Sequence, residues 1–420
     1  MNNEFIIKPQ KPKTAAEPPA EENEEPLSED QALEESGNEA IDIDMSVEDE
    51  ASDDEAKADS KKEKKPKKKR RSPKAWFNDL SKKQKIAFIA GVTVALTGIG
   101  LGIYFALTGK TPVVQTKQTV ATKKKPTTVA SRLTGLQIKP ELNKRGVTGV
   151  MVENSEFAWP QSGIIDAGVV FEAQAEGGIT RFLVLFQESQ PTLIGPVRSV
   201  RPYYADWLAS YDAPLAHVGG SEQGLARLRE NGEISLDRGA YPDSYQERSD
   251  KEPPHHIYTS ATALDALKAK KGRTESTFTG FARKKEQPAK TPTAKTIDMG
   301  VSTGIYRPHY DYDTKTNSYK RSQNGAPHVD EKSGKQLSPK VVIALVIPRG
   351  SSGKYSTYDT VGSGAVRVFQ DGTVTEGTWE RASLKDQITF KDSRGNDLKL
   401  NPGQTWLCPV DSAIAAAYTP

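Results

Sequence analysis

AGVVFEAQAEGGITRFLVLFQ, residues 167–187, is the stretch that decides how the folded part of this chain is built. Runs rich in Val, Phe, Leu and Ile flank Gly177-Gly178, and consecutive glycines reach positive φ without steric cost. The stretch therefore predicts two antiparallel strands joined by a tight turn. With the glycines as the turn, Arg181 falls opposite Gln174 and diagonal to Glu172 and Glu176, which gathers a polar cluster on one face of the hairpin. Upstream, TGVMVEN (148–154) reads as another strand. Downstream, Pro202 is placed to open a helix through Tyr203, Trp207 and Leu208, with Ser199 or Arg201 near its cap. APLAHVGG (213–220) has a buried-strand pattern, and Ser221 is suited to cap a helix in SEQGLARLREN (221–231).

Residues 268–295 are rich in Lys, Arg, Thr and Pro and poor in apolar side chains, which reads as a basic polar linker or a long loop. Beyond it the signals are almost all β: TIDMG, IYRPHYDYD, KVVIALVIP, AVRVFQ, TVTEGTW, ITFKD and TWLCPV, with turns at Asp371-Gly372, Arg394-Gly395-Asn396 and Pro402-Gly403. The expected fold class is α+β, with a mixed α/β part over 131–267 and a mainly β part over 296–420.

The N-terminal region is of another kind. The chain has 58 Lys and Arg against 55 Asp and Glu, so its net charge of +3 hides a strong segregation of sign. Asp and Glu dominate from Glu17 to Asp59 without any periodic apolar pattern, and such a stretch cannot bury enough surface to offset its ordering entropy. KKEKKPKKKRRSPK (61–74) then reverses the charge. IAFIAGVTVALTGIGLGIYFAL, Ile86 to Leu107, follows with no charged residue between Lys85 and Lys110; at about 1.5 Å per residue it is long enough to cross a hydrocarbon core of about 30 Å. Lys67 to Arg71, Lys74, Lys82, Lys83 and Lys85 outnumber Lys110, Lys117 and Lys123 to Lys125. That bias makes residues 1–85 a disordered cytoplasmic tail, 86–107 a transmembrane helix and everything beyond an extracytoplasmic part. The basic residues from Lys61 to Lys85 are then expected on anionic lipid headgroups, and no nucleic acid is called for. Gly98 and Gly102 form a small-xxx-small pair suited to helix packing. Residues 108–130, rich in Thr, Lys and Pro, read as an extended spacer. Cys408 is the only cysteine, so no intramolecular disulfide forms and no thiol adjoins the apolar span to take a lipid.

Six blocks in order carry a resemblance: EGGITRF (176–182), IGPVRSVRPYY (194–204), HVGGS (217–221), PHHIYTS (254–260), GAPHVD (325–330) and NPGQTW (401–406). Together they resemble the YerB-like family of bacterial lipoproteins over nearly all of residues 131–420. The resemblance implies a cell-envelope protein with an N-terminal mixed α/β part and a smaller β-rich C-terminal part, and it implies no biochemical activity. The chain departs from the lipoprotein pattern in having a transmembrane helix and a long charged tail.

Arg198 and Arg201 are the first candidates for chemistry. A guanidinium matches carboxylate and phosphate bidentately, and a helix N-terminus adds unpaired N–H groups. With Arg181, Ser199, Gly219, Gly220, Ser221 and His256 they form the predicted ligand-binding set; the alternative is that the arginines pair internally with Glu172 or Glu176. HVGGSEQG misses the nucleophile-elbow pattern, because Gln223 stands two residues after Ser221, so Ser221 reads as a cap. Glu172, Glu176 and His217 are the candidates for acid–base catalysis. His309, Asp311 and Asp313 share one strand face and His328 and Asp330 another, but with no HxxxH pair and a single thiol no metal is expected, nor any cofactor. The leading expectation is a single-pass membrane protein whose outer domain binds an anionic or carbohydrate envelope component, such as a wall polymer or its precursor. The alternatives are an envelope hydrolase or transferase using the same pocket, and a scaffold joining cytoplasmic and external partners.

Overall fold

The structure, a computed structural model, describes residues 72–109 and 127–420. The acidic stretch, the basic residues 61–71 and the stretch 110–126 lie outside the described residues. The chain divides into one unit that ends at Lys117 and a second from Gln118 to Pro420.

In the first unit α1 (Pro73–Asn78) precedes α2 (Lys82–Thr108), whose 27 residues span about 40 Å. Ser81 and Gln84 fix where α2 begins: the Ser81 N–H donates to Gln84 Oε1 at 3.0 Å and the Gln84 N–H to Ser81 Oγ at 3.4 Å, a reciprocal cap. Phe88 meets the rings of Trp76 and Phe77, both at 5.6 Å, and Lys85 Nζ donates to the Asn78 carbonyl at 2.9 Å. Among the described residues α2 is the one helix long and apolar enough to cross a membrane. Its threonine hydroxyls are satisfied within the helix: Thr93, Thr97 and Thr108 donate to the carbonyls of Ile89, Thr93 and Tyr104.

In the second unit, the first half supplies β1 (Thr148–Glu153), β2 (Val169–Glu176), β3 (Ile179–Phe186), β4 (Leu215–His217) and β5 (Ser235–Asp237), with α3 (Pro202–Leu208), α4 (Glu222–Glu230) and α5 (Ala261–Lys270). The second half supplies β6 (Thr296–Met299), β7 (Pro308–Asp313), β8 (Ser318–Gln323), β9 (Ala326–Pro327), β10 (Val341–Val346), β11 (Gly350–Ser352) and β12 (Tyr355–Thr357). It ends with β13 (Gly362–Gln370), β14 (Thr373–Arg381), β15 (Thr389–Asp392), β16 (Thr405–Val410) and β17 (Ala416–Thr419). The fold is therefore mixed α/β followed by mainly β, as the sequence suggests.

A 12-stranded sheet runs β15-β14-β13-β10-β16-β2-β3-β1-β4-β5, with β11 and β12 attached through β2. A second sheet runs β9-β8-β7-β6-β17. The larger sheet crosses from one half of the chain to the other where β16 pairs with β2 in parallel, Trp406 beside Val170. Strands at this centre are covered on both faces, which is why TGVMVE and TWLCPV are buried at every position. One face carries α3 and α4, with Met151, Leu183, Tyr204, Trp207, Ile343 and Leu407 in a single core. The opposite face carries α5 around Phe182, Val184 and Leu264, and the five-stranded sheet packs through Tyr310, Tyr319, Val342 and Cys408. Residues beyond α5 form the long loop, and Phe278 and Phe281 bind it into the first core.

The hairpin turn is as predicted, with Gly177 and Gly178 at φ 56° and 78°. The register is not. Arg181 lies opposite Ala173, and Gln174 opposite Thr180, because a bulge between Gln174 and Glu176 inserts one extra residue into β2. Glu172 and Glu176 consequently face opposite sides of the sheet, and the predicted common cluster is split in two.

Candidate functional site

On the α3 side, Glu153, Arg181 and Glu176 line one end of the sheet, and the loop Gly195–Arg201 runs beside the end of β1, with Val197 bridging Val152 and the Arg198 N–H donating to the Met151 carbonyl at 3.0 Å. Glu153 is directly opposite Arg181, and Glu176 directly opposite Tyr355. The Glu176 carboxylate receives Arg201 Nε at 3.1 Å and Nη2 at 2.8 and 2.9 Å, together with Arg181 Nη2. Arg181 Nη1 donates to the Ser199 carbonyl at 3.0 Å, and the Arg201 guanidinium lies 4.7 Å from the Tyr355 ring centre. Burial, and then the neighbouring Arg181, lower the pKa of Arg201. Both arginines are about as buried as core residues, at 4% and 5% exposure. Arg181 and Arg201 thus lie inside the fold, pinning this loop to the hairpin through Glu176; Arg201 is the N-cap residue of α3, but its side chain makes no cap bond.

Arg198 is placed differently. Its Nε lies 3.1 Å from Glu153 Oε1 in an ion pair without hydrogen-bond geometry, its side chain is 23% exposed, and none of its guanidinium nitrogens has a hydrogen-bond partner among the described residues. Glu153 Oε2 meets His255 Nδ1 at 2.8 Å. A carboxylate only accepts, so Nδ1 carries a proton, and in the neutral ring Nε2 is the acceptor. Nε2 has no partner among the described residues, and the exposed Phe157 ring lies over the imidazole at 5.5 Å. Sequence reading missed Glu153 and His255 as a pair because 102 positions separate them.

On the opposite face Glu172 is fully buried and pairs with Arg321 Nη2 at 2.9 and 3.1 Å, with Thr180 Oγ1 donating at 3.1 Å. Burial raises the Glu172 carboxyl above its ordinary value, against the pull of Arg321. Arg321 Nη1 also donates to His328 Nδ1, so His328 Nε2–H donates to Gln161 Oε1 at 2.7 Å; burial and then Arg321 push its pKa well below the usual value, and the ring is neutral. Asn154 joins this network through Thr180, Gln161, Gln323 and the Trp159 indole N–H. Above it opens a cavity of about 230 Å³ walled by Trp159, Pro160, Ala326, Pro327 and Val329, with Gln323 and His328 at its base. The loop that follows β1 therefore separates the Arg198–His255 face from this cavity.

The remaining predicted residues have other tasks. His217 is buried, bonding the Gly219 carbonyl through Nδ1 and Ser235 Oγ through Nε2, both at 2.8 Å; burial lowers its pKa, and it makes no contact with Glu172 or Glu176. A paired carboxylate with a nearby imidazole, as predicted for Glu172, Glu176 and His217, is therefore not assembled. Ser221 does cap α4, accepting from the Gly224 N–H at 3.1 Å, and Gly220 bridges to Val200, so the two glycine-bearing loops meet. His256 lies 4.0 Å from Glu247. His309 sits between Asp298 at 2.9 Å and Asp311 at 3.3 Å, while Asp313 turns to Lys320. Asp330 accepts from the Gly163 N–H at 2.6 Å and from Ser333. The strand faces proposed from sequence thus do not converge, and no metal-binding group occurs among the described residues.

The family described as "Protein of unknown function (DUF3048)" matches with its N-terminal domain over residues 133–275 and its C-terminal domain over residues 297–407. A relative named "Putative lipoprotein YerB", from Bacillus subtilis (strain 168), is 31% identical over 295 residues, 68% of this chain and 88% of the relative. This chain belongs to the YerB-like family. The crystal structure of the YerB protein from Bacillus subtilis superposes with a TM-score of 0.63 at 27% identity, covering 70% of this chain and all of that one. Both YerB-like domains in this chain share the 12-stranded sheet, and Arg321 from the second is paired with Glu172 from the first.

Proposed function

We propose that the chain is a single-pass, membrane-anchored envelope protein whose second unit binds an anionic envelope component at Arg198. The length and apolarity of α2, with its hydroxyls satisfied inside the helix, support a membrane span over Ile86 to Leu107. The relative's description as a lipoprotein supports attachment to a membrane by another means in that protein. The excess of Lys and Arg before the span puts the N-terminus in the cytoplasm and the folded unit outside. Trp76, half exposed and lying between Lys74 and Lys82 in the sequence, has the amphipathic character found at a headgroup boundary.

The observation that carries the binding reading is that, among the described residues, Arg198 alone of the three predicted arginines has amino groups without a hydrogen-bond partner, on a half-buried guanidinium ion-paired with Glu153. Phe157, 70% exposed against the His255 ring, offers aromatic surface on the same face, which suits a carbohydrate chain bearing negative charge. The test is binding of the Gln118–Pro420 unit to isolated wall polymers and lipid-linked precursors across a salt series. Binding is expected to weaken with salt and to fall about tenfold or more in Arg198→Ala, the size of a lost charged hydrogen bond. Equal binding by both proteins, or none by either, overturns the reading.

A further inference from the structure

The Glu153–His255–Arg198 constellation has the parts of an acid–base site that binding alone does not require. Glu153 is 3% exposed, and a carboxylate that deep is kept only with partners; here one oxygen holds His255 Nδ1 and the other faces Arg198 Nε. The arrangement fixes the imidazole tautomer and points Nε2 away from the carboxylate, while Arg198, paired with the other oxygen of the same carboxylate, keeps two amino groups without a hydrogen-bond partner among the described residues. Ser155 Oγ is 3.4 Å from Nδ1, the nitrogen that already serves Glu153, so the serine is on the wrong side of the ring to be activated as a nucleophile. Water is the nucleophile this geometry leaves. A glycosidic bond is disfavoured, because its cleavage needs a carboxylic acid free to protonate the leaving oxygen, and Glu153 is bonded to His255 and ion-paired with Arg198.

We propose that His255, oriented by Glu153 and assisted by Arg198, hydrolyses an acyl ester carried by the anionic envelope component. The inference rests on the binding reading for where that component sits. His255 Nε2 takes a proton from water as the water oxygen bonds to the ester carbonyl carbon, and the displaced carbonyl electron pair gathers on oxygen facing the Arg198 amino groups. Collapse of that intermediate breaks the bond to the alkoxy oxygen, which takes the proton back from His255. Ester and water become carboxylic acid and alcohol; the imidazole is restored and nothing is oxidised or reduced.

The test uses full-length protein in detergent, with p-nitrophenyl acetate as a small probe and acetate release from O-acetylated wall polymer as the second readout. His255→Asn keeps an N–H to offer Glu153 but has no base, and unfolding midpoints establish that it is folded. Turnover by the native protein is expected to saturate and to exceed that of His255→Asn by about 10²-fold or more on both readouts. Native turnover no faster than His255→Asn, or than free imidazole at equal concentration, overturns the proposal. Polymer binding is scored in the same preparation: binding without acetate release defeats the ester inference alone, and probe turnover without polymer binding defeats the binding reading alone.

Discussion

Glu172 and Glu176 stand in one strand, and the bulge between them sends each to a different arginine. Glu176 keeps a quarter of its side chain exposed, whereas Glu172 and Arg321 have no exposed side-chain surface at all. For a pair that deep, desolvation offsets most of the Coulomb attraction, so the decisive quantity is what one partner costs when left alone. Arg321→Met is expected to destabilise the second unit by about 3–5 kcal/mol, because it strands a buried carboxylate. Glu172→Leu combined with Arg321→Met is expected to lose less, since only the Thr180 hydroxyl proton and His328 Nδ1 then lose a partner, while Asn154 and Gln161 still hold the two side chains. Urea unfolding of the Gln118–Pro420 unit checks this, and a double variant less stable than the single would refute it. The pairing of Glu176 with Arg181 and Arg201 is the internal pairing the sequence offers as the alternative for the arginines, whereas the Glu172–Arg321 pair was not legible because 149 positions separate its members.

Among the elements, those with local chemistry were legible: the Gly177-Gly178 turn, Pro202 at the start of α3 and Ser221 capping α4 each follow from one or two residues. Gly224 was not. In EQGLARLRE it reads as a weak position in a helix, where alanine should gain about 1 kcal/mol. Yet a Cβ there would lie 2.8 Å from the Val200 carbonyl oxygen and 3.1 Å from Arg201 Cα, backbone atoms that cannot rotate away. This close approach lets the first turn of α4 press on the loop that carries Arg198. Gly224→Ala is therefore expected to lower stability by about 1–3 kcal/mol, reversing the sign set by helix propensity, while exposed Gln223→Ala stays within about 0.5 kcal/mol. Thermal unfolding of the two variants side by side decides the sign. The candidate site was half legible for the same reason: Arg198 announces itself by residue type and loop, whereas Glu153 and His255 meet only through tertiary folding.

At the scale of the whole second unit, the sequence divides where composition changes, and the two family matches divide there too. The packing does not follow that division. β16 lies between β10 and β2, so the last long strand of the chain completes a sheet begun by the hairpin, and Phe278 and Phe281 from the intervening loop join a core to which both halves contribute. No periodicity within a strand records a parallel partner more than 200 residues away, which is why the shared sheet was invisible while its strands were not. Without β16, Val170 and Phe171 would lose their neighbours along one edge of β2, and that edge would present unpaired N–H and C=O groups. Residues 118–275 and 276–420 produced separately are therefore expected to lack a cooperative unfolding transition, and the two produced together are expected to co-purify and recover one. If residues 118–275 alone unfold sharply at the midpoint of the intact unit, the halves are independent domains and the sheet they share contributes little to holding either together.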